Sequence, residues 1–153
     1  MRDAFRRAAE KVSAWLAGQL LLAAIIGVTA ALGLWILGVP YFYVLALIAG
    51  VGELIPIVGP LLAAVPAVAV ALSSSPALAL GVALFFFAQQ QVENHVLVPK
   101  IMSRQVGISP VVVIMALLIG GSLLGLIGAI LAVPTAAILQ VLLQELLVEA
   151  TAD

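Results

Sequence analysis

Apolar and polar positions in this chain are segregated into long blocks. Residues 12–52, 54–92 and 105–144 contain no Asp, Glu, Lys or Arg. One crossing of the hydrocarbon core takes about 20 apolar residues, so each block of about 40 has room for two helical passes, or for one pass and a re-entrant pair. The stretch 14–37 reads as one uninterrupted Leu- and Ala-rich span, stopped by Gly38-Val39-Pro40. Two shorter apolar stretches follow, 41–54 and 61–72, on either side of Ile55-Pro56-Ile57-Val58-Gly59-Pro60, and the second contains Pro66. About 14 helical residues reach only about 21 Å, short of a core roughly 30 Å thick, so this pair is expected to be broken or re-entrant.

Ser73-Ser74-Ser75-Pro76 supplies helix caps and a proline for a first turn. A second long helix is predicted over 77–97, polar in its last third and ended by Pro99. A basic connector, 100–107, leads to Ser109-Pro110 and a helix over 111–119. The chain then passes Gly120, Gly121, Gly125, Gly128 and Pro134 into a helix over 135–149 with a wet end at Glu145 and Glu149. The predicted fold class is therefore an all-α integral membrane protein with two long transmembrane helices and two Gly/Pro-interrupted helix pairs.

The interrupted pairs repeat each other. Without a gap, Gly52, Leu54, Gly59, Leu62 and Ala63 coincide with Gly121, Leu123, Gly128, Leu131 and Ala132. This divides one polytopic domain, 1–153, into a basic collar at 1–13, a first repeat at 14–76 and a second at 77–153. If each pair enters and leaves on one side, the single full helix between them puts the pairs on opposite faces, which makes the repeat inverted. Broken segments at corresponding places in two halves point to a transport site at the repeat interface. The basic collar and the topology anchors Lys100 and Arg104 place the amino terminus in the cytoplasm.

Composition removes other classes of function. The chain has 153 residues, 65% hydrophobic and 8% charged, with six basic residues and a net charge of -1, which excludes a soluble enzyme and leaves no footprint for nucleic acid. Cysteine is absent and His95 is the single histidine, so no metal site and no cofactor are predicted. An intramembrane hydrolase would lack partners, since Asp3 and Asp153 are the only aspartates. No nucleotide-binding loop is present, and any driving energy must come from an ion gradient or from the solute's own gradient.

Few residues then remain that can carry chemistry. Glu53 lies three positions before Pro56 at the tip of the first broken pair. In a re-entrant pair its carboxylate sits at depth and suits a proton or cation site, whereas in a fully crossing pair it marks a wet turn. Helical i, i+4 spacing stacks Gln89 over Glu93 and Gln90 over Asn94, giving an oxygen-rich face able to line a polar route or hold a hard cation such as sodium. Gln91 and His95 read as an interfacial ring. Pro56, Gly59, Pro60, Gly125, Gly128 and Pro134 free backbone groups that can bind ions, or else pack helices, with Gly121 and Gly125 forming a small-xxx-small pair. Trp15, Trp35, Tyr41 and Tyr43 read as an interfacial belt.

Four motifs, in order, resemble the carboxy-terminal half of the autoinducer-2 exporter family of bacterial and archaeal membrane proteins. They are Glu53-Leu54-Ile55-Pro56-Ile57-Val58-Gly59-Pro60, Val92-Glu93-Asn94-His95-Val96-Leu97-Val98-Pro99-Lys100-Ile101, Val106-Gly107-Ile108-Ser109-Pro110 and Gly125-Leu126-Ile127-Gly128-Ala129-Ile130-Leu131-Ala132-Val133-Pro134. The resemblance covers about 12–147 and implies a polytopic transport protein of the cell's inner (plasma) membrane, exporting the signal autoinducer-2 in some members and exchanging sodium for protons in others. Family members usually exceed twice this length, so the resemblance further implies a half-length chain or a pathway completed by another chain. The expected function is efflux of a small polar solute coupled to an ion gradient, with a sodium/proton antiporter, a passive oligomeric pore and a non-transporting scaffold as rivals. The lipid bilayer, the solute or Na+/H+, and further copies of the chain are the expected partners, because glycine-lined faces favour a homo-oligomer.

Overall fold

The computed structural model describes residues 2–102 and 109–150, apart from the side chains of 2–5, 8, 110, 142 and 144–150. All regular structure among the described residues is helical. The chain forms two compact units, one of Gly18–Ile101 and one of Met1–Ala17 with Met102–Asp153.

Helix α1 runs Arg2–Ile36, so the collar is helical too, and its stretch Ala9–Ile36 is long and apolar enough to cross a membrane. The expected stop is realised at Gly38, whose φ is +71°. There the Val39 N–H reaches back to the Leu34 carbonyl at 2.9 Å and the Gly38 N–H to Trp35 at 3.0 Å, the paired bonds of a glycine-terminated helix.

In the first unit, α2 (Phe42–Gly52) and α3 (Val58–Ser74) follow with 11 and 17 residues. These lengths correspond to roughly 16 and 25 Å, both below the thickness of a bilayer core. The two helices pack on each other across the break. A Cβ on Gly59 would overlap the Gly52 carbonyl oxygen, and one on Gly52 would lie 3.1 Å from the Gly59 oxygen and 3.5 Å from Ala63 Cβ, so this closure requires glycine. α2 also crosses α1 closely: a Cβ on Gly50 would stand 3.0 Å from the Ala23 oxygen and 3.3 Å from Gly27 Cα. Ala23 and Gly27 on α1 thus face Ala46 and Gly50 on α2, a pair of small-xxx-small stripes.

Helix α4 (Pro76–Val92) begins as expected, with Ser75 Oγ accepting the Leu78 N–H at 3.1 Å and Pro76 in the first turn. Pro99 does not end it. A π turn, Glu93–Leu97, joins α4 to α5, Val98–Met102. The Val98 N–H reaches the Glu93 carbonyl, and this wider turn makes room for a proline ring that brings no N–H of its own. The unit's core is built from Ile26, Ala30 and Leu34 of α1, Leu45 and Ala49 of α2, Ala63, Ala67 and Ala71 of α3, and Val82 and Phe86 of α4. Alanine dominates because the helices approach closely, while large apolar side chains such as Leu47, Leu61, Leu72 and Leu84 point outward, as lipid-facing positions do.

In the second unit, α6 spans Pro110–Ala150, and Ser109 Oγ accepts the Val112 N–H at 3.4 Å. The stretch Val111–Val141 is long and apolar enough for one span, but Gly125 leaves the helical region at φ 57° and ψ -135°. Residues eight apart in a straight helix lie about 12 Å apart. Here a Cβ on Gly120 or on Gly128 would overlap the other's carbonyl oxygen, so the chain reverses at Gly125. The contact uses Gly120, and neither Gly121 nor Gly125 has a neighbour within the chain at its Cβ position. Within the chain, Gly125 supplies a positive φ, and Gly120 with Gly128 the close approach. Pro134 lies inside the helix and is half-buried. Trp15, expected in an interfacial belt, is instead buried with Val133 and Ala137. Trp35, Tyr41 and Tyr43 are exposed. Arg104, Gly107 and Ile108 lie outside the described residues.

Substituting Gly59→Val is expected to destabilise the protein by about 2–4 kcal/mol, because the side chain must force the hairpin open. Gly121→Ala, at a helical position with open space, should be neutral or stabilising by up to about 1 kcal/mol. Thermal unfolding in detergent, followed by circular dichroism, checks both.

Candidate functional site

Glu53 and Gln19 meet at the break between α2 and α3, and Gln89, Gln90 and Glu93 line a cleft at the end of α4. Glu53 ends α2 and is 2% exposed. Backbone bonds within the break leave little unsatisfied: the Glu53 N–H donates to Ala49 at 3.1 Å, Ile55 to Gly52 at 2.9 Å and Gly59 to Ile55 at 2.9 Å. Ile57 carries φ 70° and ψ -51°, and the Val58 N–H donates to the Pro56 carbonyl at 2.8 Å, which makes a positive-φ γ-turn. A β-branched residue seldom adopts that φ, so the Pro56-Ile57 corner is strained.

The Glu53 carbonyl, stranded at the helix end, is satisfied from α1. Gln19 Nε2 donates to it and lies 3.4 Å from Glu53 Oε1. Gln19 is itself 2% exposed. Glu53 Oε2 is buried without a protein hydrogen-bond partner.

The second acid is also buried. Glu93, 4% exposed, opens the π turn and lies within electrostatic reach of Glu53. Its Oε1 accepts from Gln90 Nε2 at 3.2 Å, and the same amide reaches Asn94 Oδ1 at 3.3 Å. Gln89 does not stack on Glu93 as its spacing predicts. Its Nε2 crosses to α1 and donates to the Ile26 carbonyl and to Thr29 Oγ1, each at 3.1 Å, while its Oε1 is buried without a protein partner. A small cleft with room for about one water is lined by Ile26, Ala49, Pro60, Phe86, Gln89, Gln90 and Glu93.

Gln89, Gln90 and Glu93 thus line one cleft, with Glu53 within electrostatic reach of Glu93, whereas Asn94, Gln91 and His95 are exposed, with His95 Nδ1 2.9 Å from the Gln91 carbonyl. Gly59 and Pro60 are buried beside the break and Pro56 is half-buried. Lys100 is exposed on α5. Gly125, Gly128 and Pro134 belong to the second unit. Gln19 and Thr29 were not among the residues expected, although Gln19 is the one amide in the charge-free block 12–52.

Apolar helices long enough to cross a bilayer, a helix pair broken at a buried acid, and a polar cluster inside an alanine-packed unit define a multi-pass membrane protein. Residues 1–148 match the family described as AI-2E family transporter, and the chain belongs to it. Among its relatives, YrrI of Bacillus subtilis is 43% identical over 129 residues, 84% of this chain and 36% of YrrI. YueF of the same organism is 34% identical over 136 residues, 89% of this chain and 37% of YueF. The AI-2 transport protein TqsA of Escherichia coli is 34% identical over 143 residues, 93% of this chain and 42% of TqsA. The chain therefore spans less than half the length of these relatives.

Burial separates the polar residues in a way that labelling can read. In this cysteine-free chain, Asn94→Cys should react with a water-soluble maleimide at least roughly tenfold faster than Glu53→Cys, because thiol reactivity follows exposure. Equal rates would place Glu53 at a wet surface.

Proposed function

We propose that this chain forms part of a permease that moves a small polar solute out of the cell in exchange for, or together with, an ion, and that the Gln19, Glu53, Gln89, Gln90 and Glu93 cluster is where the ion is handled. The observation that carries this is the burial of two carboxylates, 2% and 4% exposed, near each other among apolar helices. Two such groups are costly together unless positive charge joins them, so the cluster is suited to taking up a proton or a cation and releasing it when the surroundings change. Asn94 carries the polar route outward, and Lys100 and Arg104 mark the cytoplasmic side, with the amino terminus there too. The name of TqsA makes autoinducer-2 the first solute to assay.

Inverted duplication belongs to the same proposal. Its support is that each helix reversal is closed by a glycine pair with an alanine four residues beyond: Gly52 and Gly59 with Ala63, Gly120 and Gly128 with Ala132. Re-entrant pairs, formed by helices too short to cross alone, are the arrangement in which broken backbone lines a transport route. The exposed glycines and apolar faces of the second pair are the surfaces on which further copies would pack to complete a pathway.

A sodium/proton antiporter is the second reading, favoured by the oxygen-only character of Glu53, Glu93, Gln89 and Gln90, which suits a hard cation. A passive pore or a scaffold remains as a rival that makes no use of the buried acids.

Proteoliposomes holding the full chain and a trapped pH dye test the proposal. Glu53→Gln and Glu93→Gln should each lower gradient-coupled proton flux by at least roughly tenfold, with the sodium dependence of that flux separating the antiporter. Unchanged rates and unchanged pH dependence in both variants would defeat ion coupling at this cluster, and unitary conductance steps would favour the pore.

A further inference from the structure

Gln19 occupies a core position on α1. With Leu22, Ile26, Ala30 and Leu34 it falls on one buried stripe, spaced three and four residues apart, where an apolar side chain would be expected. A buried amide with four hydrogen-bonding sites is costly at such a place unless its partners are fixed. Both of its identified contacts go to one residue: Nε2 donates to the Glu53 carbonyl and faces Glu53 Oε1 at 3.4 Å.

The two contacts do different things. The carbonyl bond caps the last turn of α2 and sets where the break begins, since a helix end leaves its final carbonyls without helical donors. The carboxylate contact selects one of the two oxygens, so that Oε1 faces the amide and Oε2 is left buried with no protein partner. The reach is made possible by the crossing at Ala23 and Gly27 of α1 against Ala46 and Gly50 of α2, which draws α1 against the end of α2. Two turns further along the same stripe, the Ile26 carbonyl and nearby Thr29 hold Gln89 of α4, so α1 orients residues on both elements that carry the buried acids.

We infer that Gln19 is the positioning residue of the transport site, turning Glu53 so that one carboxylate oxygen is held and the other is presented to the ion. This rests on the reading of the Glu53 and Glu93 cluster as the place of ion handling. Gln19 acts through Glu53 and does not itself take up charge. Glu93 is the titratable group within electrostatic reach of Glu53 in this unit. Apart from Glu53 and Glu93, the titratable side chains of 18–101 are Tyr41, Tyr43, His95 and Lys100, all exposed, and α3 carries none.

Dye-loaded proteoliposomes with the full chain, driven by an imposed pH gradient in sodium or in potassium, test the inference. Gln19→Leu keeps the side chain's bulk and removes its donors. It is expected to leave folding in detergent intact, to lower proton flux roughly tenfold and to displace the pH midpoint of that flux. In a Glu53→Gln background it should add no further displacement of the pH midpoint, because the carboxylate that it positions is gone while its bond to the backbone carbonyl is kept. Gln19→Asn, one methylene shorter, is expected to give the same displacement and serves if the leucine variant does not fold. A lowered flux with an unmoved pH midpoint, or a displacement of equal size with and without Glu53, would assign Gln19 a merely structural role and overturn the inference. Normal flux in Gln19→Leu beside a defective Glu53→Gln would also overturn it while leaving the site standing. Normal flux in Glu53→Gln overturns both.

Discussion

A helix that stops inside apolar surroundings leaves peptide groups that neither water nor lipid can satisfy, and the rest of the first unit is arranged around that constraint. Local turns absorb most of the freed groups at the α2–α3 break, including the strained γ-turn at Ile57. The Glu53 carbonyl is not reached by any of them and takes its donor from Gln19, on a different helix. That requirement explains why α1 and α2 meet through glycine and alanine: a bulkier crossing would hold Gln19 out of range. It also explains why a charged side chain can sit at the break at all, because the donor that satisfies the backbone also faces the carboxylate.

The same helix controls the second acid indirectly. Gln89 is drawn away to the Ile26 carbonyl and Thr29, and Gln90 is left as the partner of Glu93 at the start of the π turn. A π turn carries one more residue per loop than an α turn, a geometry often found at functional sites and here tied to the proline that follows. One span thus presents two polar anchors, at Gln19 and around Thr29, while keeping its other faces apolar for lipid.

Much of this was legible in the sequence. Hydropathy and the Gly/Pro punctuation located the first span, its stop at Gly38, the break before Pro56 and the caps at Ser75 and Ser109, because each depends on local chemistry alone. The order of four motifs led to the family. Tertiary packing hid the rest. Pro99 reads as a stop until the π turn accommodates it, and the i, i+4 rule assigned Gln89 to Glu93 without knowing that α1 offers a competing carbonyl. Gln19 leaves no mark on the charge pattern, because an amide in a span does not interrupt a block free of acids and bases. Which of Gly120 and Gly121 faces Gly128 is likewise invisible to a pattern, because the two glycines differ only in the direction that the fold gives them.

On the proposed reading, Glu53 and Glu93 act as one unit. A double-mutant cycle on proton flux in proteoliposomes addresses this directly, comparing Glu53→Gln, Glu93→Gln and the double variant. If the carboxylates share one charge-handling step, the double variant will be no slower than the worse single one. If the two losses simply multiply, each acid works alone and the shared site is contradicted.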